Sequence, residues 1–117
     1  MAINLKPLNW NWDAVTTGDT YPAINIVETS SDSALTRARV TVKASGSAVA
    51  SLTLDSDATG VTINVATAGA WDFTIDEINP VTLTTGWYNY DLETTDAAGV
   101  ISTEFKGTWQ ILSETTD

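Results

Sequence analysis

Asp55, Asp57 and Gly60 form an Asp-x-Asp-x-x-Gly pattern, which has the spacing of the first half of a calcium-binding loop. A complete loop needs a bidentate Glu at its twelfth position, and counting from Asp55 that position holds Ala66. An acidic turn between two strands accounts for the same residues, because an Asp side chain accepts a hydrogen bond from the backbone two residues further on. We therefore predict a turn here, with no metal and no cofactor.

Asp72, Asp76 and Glu77 suggest a second kind of chemistry, since two carboxyl groups at a set separation can hydrolyse a glycosidic bond. A chain with 15 acidic residues contains such pairs by chance, however. Histidine and cysteine are both absent, which excludes Ser-His-Asp and Cys-His catalysis and any zinc site built on cysteine. The sequence therefore favours a protein that is not an enzyme.

The five tryptophans are the residues most suited to binding. Trp71 and Trp109 alternate in step with apolar neighbours, which predicts that they lie in the core. Trp10, Trp12 and Trp87 lie where a strand edge, an N-terminal arm or an outward face could expose them. Exposed aromatic side chains mark protein interfaces or platforms on which sugars stack. The alternative, which the pattern leaves open, is that these three tryptophans cover the second face of a thin sandwich.

The charge of the chain limits its partners. Fifteen acidic and 5 basic residues give a formal net charge of -10 at pH 7. A nucleic-acid backbone or an anionic membrane surface would be repelled, so we expect neither as a partner. Arg37, Arg39 and Lys43 share one face of a strand. They could pair with an acidic neighbouring subunit, or they could form a solvated face that discourages edge pairing.

The sequence carries no targeting signal that we recognise. Its first residues lack a basic region followed by an apolar one, and no stretch approaches the roughly 20 apolar residues of a membrane span. We expect a protein that is made in the cytoplasm and is not secreted through a signal peptide.

The elements that must carry these residues are β-strands, and the clearest is a hairpin from Gly86 to Ile111. Alternation with period two places Tyr88, Tyr90 and Leu92 on one face and Trp87 on the other. A short Asp-Ala-Ala-Gly turn joins this run to a returning strand. The inward positions of the returning strand are predicted to be Ile101, Phe105, Trp109 and Ile111.

Shorter alternating runs precede the hairpin, the cleanest being Thr36 to Ala44. Val61, Ile63 and Val65 are predicted to share an inward face. The other predicted strands lie at Tyr21 to Glu28, at Ala50 to Leu54 and around Trp71 to Ile75. Residues 77–85 predict a crossing loop with room for a single helical turn.

These elements predict an all-β fold, an antiparallel β-sandwich of about eight strands. The sandwich is expected over residues 13–112 and an N-terminal arm or edge strand over 1–12. Residues 113–117 are expected to be frayed. With 117 residues the chain is large enough for one domain with a core of its own.

The hairpin also resembles a known family. The residues that carry the resemblance are Gly86-x-Tyr88-x-Tyr90-Asp91-Leu92, Gly99-Val100, Lys106-Gly107-x-x-x-Ile111 and, near the N terminus, Gly18-Asp19-Thr20. They are similar to the closing hairpin and first turn of immunoglobulin-like domains in structural proteins of tailed bacteriophages. Those domains include the N-terminal domain of lactococcal baseplate upper proteins and short stand-alone virion proteins. The resemblance implies an immunoglobulin-like sandwich, and Gly107 in it would allow close approach or a bulge.

The resemblance implies a non-enzymatic bacteriophage virion protein. In the baseplate relatives a fibre-forming region follows this domain, whereas here the chain stops at Asp117, which favours a capsid cement or decoration protein. We expect it to form a homo-oligomer and to bind the major capsid protein or tail components. The expected interface residues are Ile3, Leu5, Leu8, Trp10, Trp12, Trp87, Arg37 and Arg39.

Two alternatives remain at this point. The first is a tail, neck or baseplate adaptor. The second is a carbohydrate-binding module or adhesin, in which Trp87, Trp10 and Trp12 would form a stacking platform. If the N-terminal arm mediates assembly, deletion of residues 1–12 is expected to abolish assembly and to leave the sandwich folded.

Overall fold

The computed structural model describes residues 8–29 and 31–113, so Ile3 and Leu5 lie outside the described residues. The strands in these ranges are β1 (Leu8–Asn9), β2 (Val15–Thr16), β3 (Ile24–Glu28), β4 (Leu35–Ala44), β5 (Ala50–Asp55), β6 (Val61–Thr67), β7 (Ala70–Ile75), β8 (Gly86–Asp96) and β9 (Ile101–Leu112). The described ranges contain no helix, so the single turn expected between residues 77 and 85 is not formed. Within them, accordingly, no helix could span a membrane. The predicted all-β class is confirmed.

The strands form two sheets. The large sheet has the order β1-β9-β8-β4-β5, with β2 also paired to β9, and the small sheet has the order β3-β7-β6. The pairs of β1 and β2 with β9 are parallel, and the other described pairs are antiparallel. Apolar side chains of both sheets meet in one core, which makes the fold β-sandwich-like. The largest fully buried apolar side chains are Trp109, Phe73, Leu92, Ile111, Val40, Val42 and Val81.

The hairpin of β8 and β9 forms where the alternation predicts it. Leu92 and the two tyrosines of β8 are buried. The Asp96 carboxylate caps the turn, because its Oδ1 accepts hydrogen bonds from the N–H groups of Ala98 at 2.9 Å and Val100 at 3.0 Å. Gly99 has a φ of 82°, a conformation that glycine adopts without steric cost.

A β-bulge at Glu104 reverses the predicted facing of one end of β9. Leu92 and Glu93 are adjacent in β8, but their partners in β9 are Phe105 and Thr103. Glu104 therefore has no partner in β8 and forms a bulge. Since facing alternates along a strand, the extra residue turns Ile101 outward and Glu104 inward, where the Thr94 hydroxyl donates to its Oε1 at 3.1 Å. The prediction that Ile101 faces the core is therefore wrong.

A second bulge, at Asn64, changes the facing of β6 in the same way. The pairing of β6 with β7 skips Asn64, so Val65 is turned outward while Ala66 packs against the core. Of the three residues predicted to share an inward face, Val61 is buried and Ile63 is partly buried against the core. The prediction is wrong for Val65.

The N-terminal segment, over its described residues 8–16, is an edge of the large sheet. Both β1 and β2 run parallel to β9. Between them, the N–H of Trp10 donates to the Lys106 carbonyl at 2.9 Å, and the N–H of Trp12 donates to the Thr108 carbonyl at 3.0 Å. We call residues 8–16 the docked arm, because these bonds hold the segment along its own chain.

Gly107 allows the docked arm to lie close against the large sheet. A Cβ atom at Gly107 would be 2.2 Å from the carbonyl oxygen of Trp10. Tyr90 lies opposite Gly107 in the hairpin, and its hydroxyl donates a hydrogen bond to the same carbonyl. Burial raises the pKa of Tyr90, so this hydroxyl remains protonated and able to donate. The close approach expected at Gly107 is thus made by the docked arm.

Candidate functional site

Hydrogen bonds within the chain hold the acidic turn that follows β5. Arg37 donates from Nε to Asp55 Oδ1 at 3.0 Å and from Nη2 to Asp55 Oδ2 at 2.5 Å. The N–H of Asp57 also donates to Asp55 Oδ1, at 3.0 Å, as the turn interpretation requires. Within the described ranges no group of three or more acidic side chains is arranged to hold a metal ion.

Asp55→Asn is expected to lower the free energy of unfolding by about 1.5 kcal/mol at neutral pH, because the two part-buried hydrogen bonds from Arg37 lose their charged acceptor. The hydrogen bonds from Arg37 hold the pKa of Asp55 below its ordinary value of 3.8. The stabilisation is therefore complete above pH 3.8 and is lost as the pH falls through the folded-state pKa. Urea unfolding at neutral and at strongly acidic pH measures this loss.

The matched control for that prediction is Asp57→Asn. Asp57 is 3.5 Å from Arg37 and its side chain is 62% exposed, so its removal should have a much smaller effect. An Asp55→Asn deficit of the same size at both pH values would contradict the prediction.

Two of the three carboxylates considered for glycoside hydrolysis, Asp72 and Asp76, accept hydrogen bonds from neighbouring strands of the small sheet. Asp72 Oδ1 accepts hydrogen bonds from Asn25 Nδ2 at 2.7 Å and from Asn64 Nδ2 at 3.2 Å. Asp76 Oδ1 accepts one from the Thr62 hydroxyl at 2.9 Å. These bonds cross between strands, so both carboxylates have a structural role in the sheet.

The three candidate tryptophans lie in three different environments. Trp12 is only 5% exposed and stacks on Tyr90, with ring centroids 4.5 Å apart. Trp10 is 36% exposed and meets Phe105 edge-on at 5.5 Å. Trp87 is 56% exposed on the outward face of β8. They therefore do not form one platform, and Trp12 belongs to the core of its own chain.

One side of the molecule exposes several apolar side chains together. We call it the apolar side. It consists of Leu8, Trp10 and Val27, which are exposed, and of Ile26 and Phe105, which are partly buried against the core. The edge strands β1 and β3 approach each other there, and a cleft of about 60 Å³ is lined by residues of both. The sequence pointed to Leu8 and Trp10 but missed Val27, which is 59% exposed. The alternation of β3 could have indicated Val27, because it places this apolar residue at an outward position of the strand.

A second surface is a groove of about 610 Å³ across the outer face of the large sheet. We call it the outer groove. The docked arm, β4, β8 and β9 contribute its lining. Its polar lining residues are Asn9, Asn11, Thr41, Lys43, Asn89, Asp91, Thr103, Lys106 and Thr108. The sequence did not indicate this groove, because its residues come from three separate parts of the chain: the docked arm, β4 and the β8–β9 hairpin.

The basic residues that the structure describes all lie on this outer face of the large sheet. Arg37 bonds to Asp55, and Arg39 Nη2 lies 3.0 Å from Glu93 Oε1. These two predicted interface residues thus have acidic partners within their own chain. The other two basic residues are Lys43 and Lys106, which line the outer groove.

Asp91 lies between the two groove lysines. It pairs across the sheet with Thr41 on one side and with Lys106 on the other. Burial raises the pKa of Asp91, Glu93 adds to the rise, and the positive charge of Lys43 opposes it. With the described residues, the Asp91 carboxylate forms no ion pair within 4.0 Å and no side-chain hydrogen bond.

Comparison with known proteins supports the fold and not the function. No protein-family model matches the chain, and no curated protein matches its sequence. Among solved structures, the chain is similar to a family 123 glycoside hydrolase from Clostridium perfringens, a protein studied for glycolipid glycan hydrolysis. The TM-score is 0.53 at 16% sequence identity. The similarity covers 93% of this chain but only 24% of that one.

Proposed function

We propose that this chain is a non-enzymatic structural protein of a bacteriophage virion, an immunoglobulin-like sandwich that decorates the capsid in many copies. The motif of the β8–β9 hairpin, which resembles that of phage structural domains, supports the identity. The lack of histidine and cysteine agrees with a role that is not catalytic. A tail, neck or baseplate adaptor is the second candidate, because the same hairpin motif occurs in baseplate proteins.

The apolar side is the surface that supports docking. Leu8 is 53% exposed and Val27 is 59% exposed, although both line the same cleft. In the described part of the chain, β1 pairs only with β9 and β3 only with β7. Exposed apolar patches beside sheet edges are surfaces on which proteins join, through apolar burial and strand addition. In the sequence, the predicted interface residues Ile3 and Leu5 directly precede this surface.

Charge favours docking on a particle over aggregation in solution. The formal net charge of -10 makes copies repel one another where their surfaces are acidic. The five residues of the apolar side are uncharged, and of the two acidic residues that also line its cleft, Glu28 and Glu104, Glu104 is buried, so contact there meets less of this repulsion. We propose that the virion supplies the complementary apolar surface.

Co-sedimentation tests the proposal. Virus particles are prepared from the organism whose genome encodes the chain and are separated on a density gradient. An antibody against the chain then detects it in the fractions. We expect the chain in the fraction that contains filled capsids. Its presence only with isolated tails would support the adaptor, and its absence from all particle fractions would overturn the proposal.

Substitution of the apolar side by charge should prevent docking. Stripped particles are mixed with the purified Leu8→Asp/Val27→Asp double variant, which is expected to bind at least about tenfold more weakly than the wild type. Val49→Asp is the matched control, because Val49 is 74% exposed in the connection between β4 and β5. Equal binding of all three proteins would show that docking uses another surface.

A further inference from the structure

We propose that the outer groove binds a carbohydrate chain, with Asp91, Lys43 and Lys106 bonding to sugar hydroxyls and Trp87 stacking on a sugar ring at one end. This site lies on the outer face of the large sheet and does not include the apolar side. It is therefore independent of docking on a virion.

The proposal rests on a difference between two carboxylates on the outer face of the large sheet. Arg39 and Glu93 face each other directly across β4 and β8, and their charged atoms are 3.0 Å apart. Asp91 lies two residues before Glu93 in β8 and is half-buried beside Lys43 and Lys106. It forms no ion pair with a described residue. A half-buried carboxylate without hydrogen bonds is costly, and a ligand that donates to it removes that cost.

The amide groups around these charges are also available for bonding. The N–H of Thr108 donates to Asn11 Oδ1 at 3.0 Å, which fixes that amide and leaves its Nδ2 group as a donor. Asn9 and Asn89 form no side-chain hydrogen bond with the described residues. The groove thus offers several donors and one strong acceptor, with hydroxyl groups of Thr41 and others between them.

Trp87 supplies the apolar part of the site. It precedes Asn89 by two residues on the same face of β8, which places it about 7 Å beyond the lining of the groove. More than half of its surface is exposed, so its ring is free to stack. An aromatic face beside a polar groove matches a sugar ring, which has apolar C–H faces and a rim of hydroxyls.

Other polar ligands fit less well. A polyanion such as a nucleic acid would meet Asp91 inside the groove and the net charge of -10 outside it. A hydroxyl group both donates and accepts, so sugars can satisfy Asp91 and the two lysines at the same time. Acidic sugars would bind to the two lysines more strongly than neutral sugars, and the test below separates the two classes.

Isothermal titration tests the proposal with four hexasaccharides: maltohexaose, cellohexaose, chitohexaose and hexagalacturonate. We expect at least one to bind, with quenching of Trp87 fluorescence. Asp91→Asn and Trp87→Ala should each raise the Kd by about tenfold. Binding of hexagalacturonate alone would assign an acidic glycan, and binding of a neutral probe would assign a neutral one.

Two controls keep the test specific. Glu93→Gln removes a carboxylate from the same strand face outside the groove, so it should leave the Kd unchanged. Leu8→Asp/Val27→Asp should also bind sugar normally, which separates this site from the apolar side. A flat titration with all four probes would overturn the proposal. Binding that neither Asp91→Asn nor Trp87→Ala weakens would also overturn the proposal.

Discussion

Alanine in place of Gly107 is expected to release the docked arm and to lower the free energy of unfolding by about 3 kcal/mol. The added Cβ would lie 2.2 Å from the Trp10 oxygen and 2.7 Å from its carbonyl carbon, and both of these are backbone atoms. Backbone cannot move aside as a flexible side chain can. The arm must therefore shift, and the Tyr90 hydroxyl then loses the carbonyl to which it donates.

Amide hydrogen exchange measures this release directly. In the wild type, the N–H groups of Trp10 and Trp12 are bonded to carbonyls of β9, and they should become unprotected in Gly107→Ala. Gly99→Ala is the control, because a Cβ there meets no atom within 4 Å and only the φ of 82° is unfavourable. It should cost about 1 kcal/mol without exposing the arm amides. Protected arm amides in Gly107→Ala would contradict the prediction.

Trp12→Ala should lower the free energy of unfolding by about 4 kcal/mol, whereas Trp87→Ala should change it by less than about 1 kcal/mol. Trp12 is buried and its ring contacts Tyr21, Tyr90 and Trp109, so its loss leaves a large cavity. Trp87 is mostly exposed. The two variants remove the same side chain, so urea unfolding compares burial alone. Equal losses would show that the docked arm does not bury Trp12 in solution.

The burial of Trp12 also changes how the N-terminal segment should be tested. Deletion of residues 1–12 was expected to leave the sandwich folded, but that deletion removes Trp12 from the core. We expect the shortened chain to be destabilised by at least as much as Trp12→Ala. Deletion of residues 1–7 retains Trp12 and Leu8, so it is the variant that tests assembly without this loss of core packing.

Local patterns predicted much of the fold. The alternation of β4 and β8 placed their inward residues correctly, since facing depends only on counting by two along a strand. The bulges at Asn64 and Glu104 could not be predicted in this way. Each inserts one residue opposite the neighbouring strand of its hairpin, and the sequence of one strand does not show how its partner is aligned.

The binding surfaces were less predictable than the strands. Trp12 follows the same local pattern as an exposed edge residue, and contacts that include Tyr90 and Trp109, far along the chain, bury it. The outer groove depends on which charges pair. Arg39 finds Glu93 across the sheet, while Lys43 and Asp91 remain apart, and this difference arises from strand register. Spacing within one segment does not contain that information.

The parallel pairing of the docked arm with β9 has a consequence for biosynthesis. Asn11 and Thr108 bond to each other across 97 positions of the chain. The arm leaves the ribosome before the other described strands, yet the strand that receives it is the last of them to emerge. Closing so long a loop is slow, and Trp10 and Trp12 stay solvated in the nascent chain until it happens. We therefore expect arm docking to be a late step of folding, and a chain that stalls before β9 to expose both tryptophans.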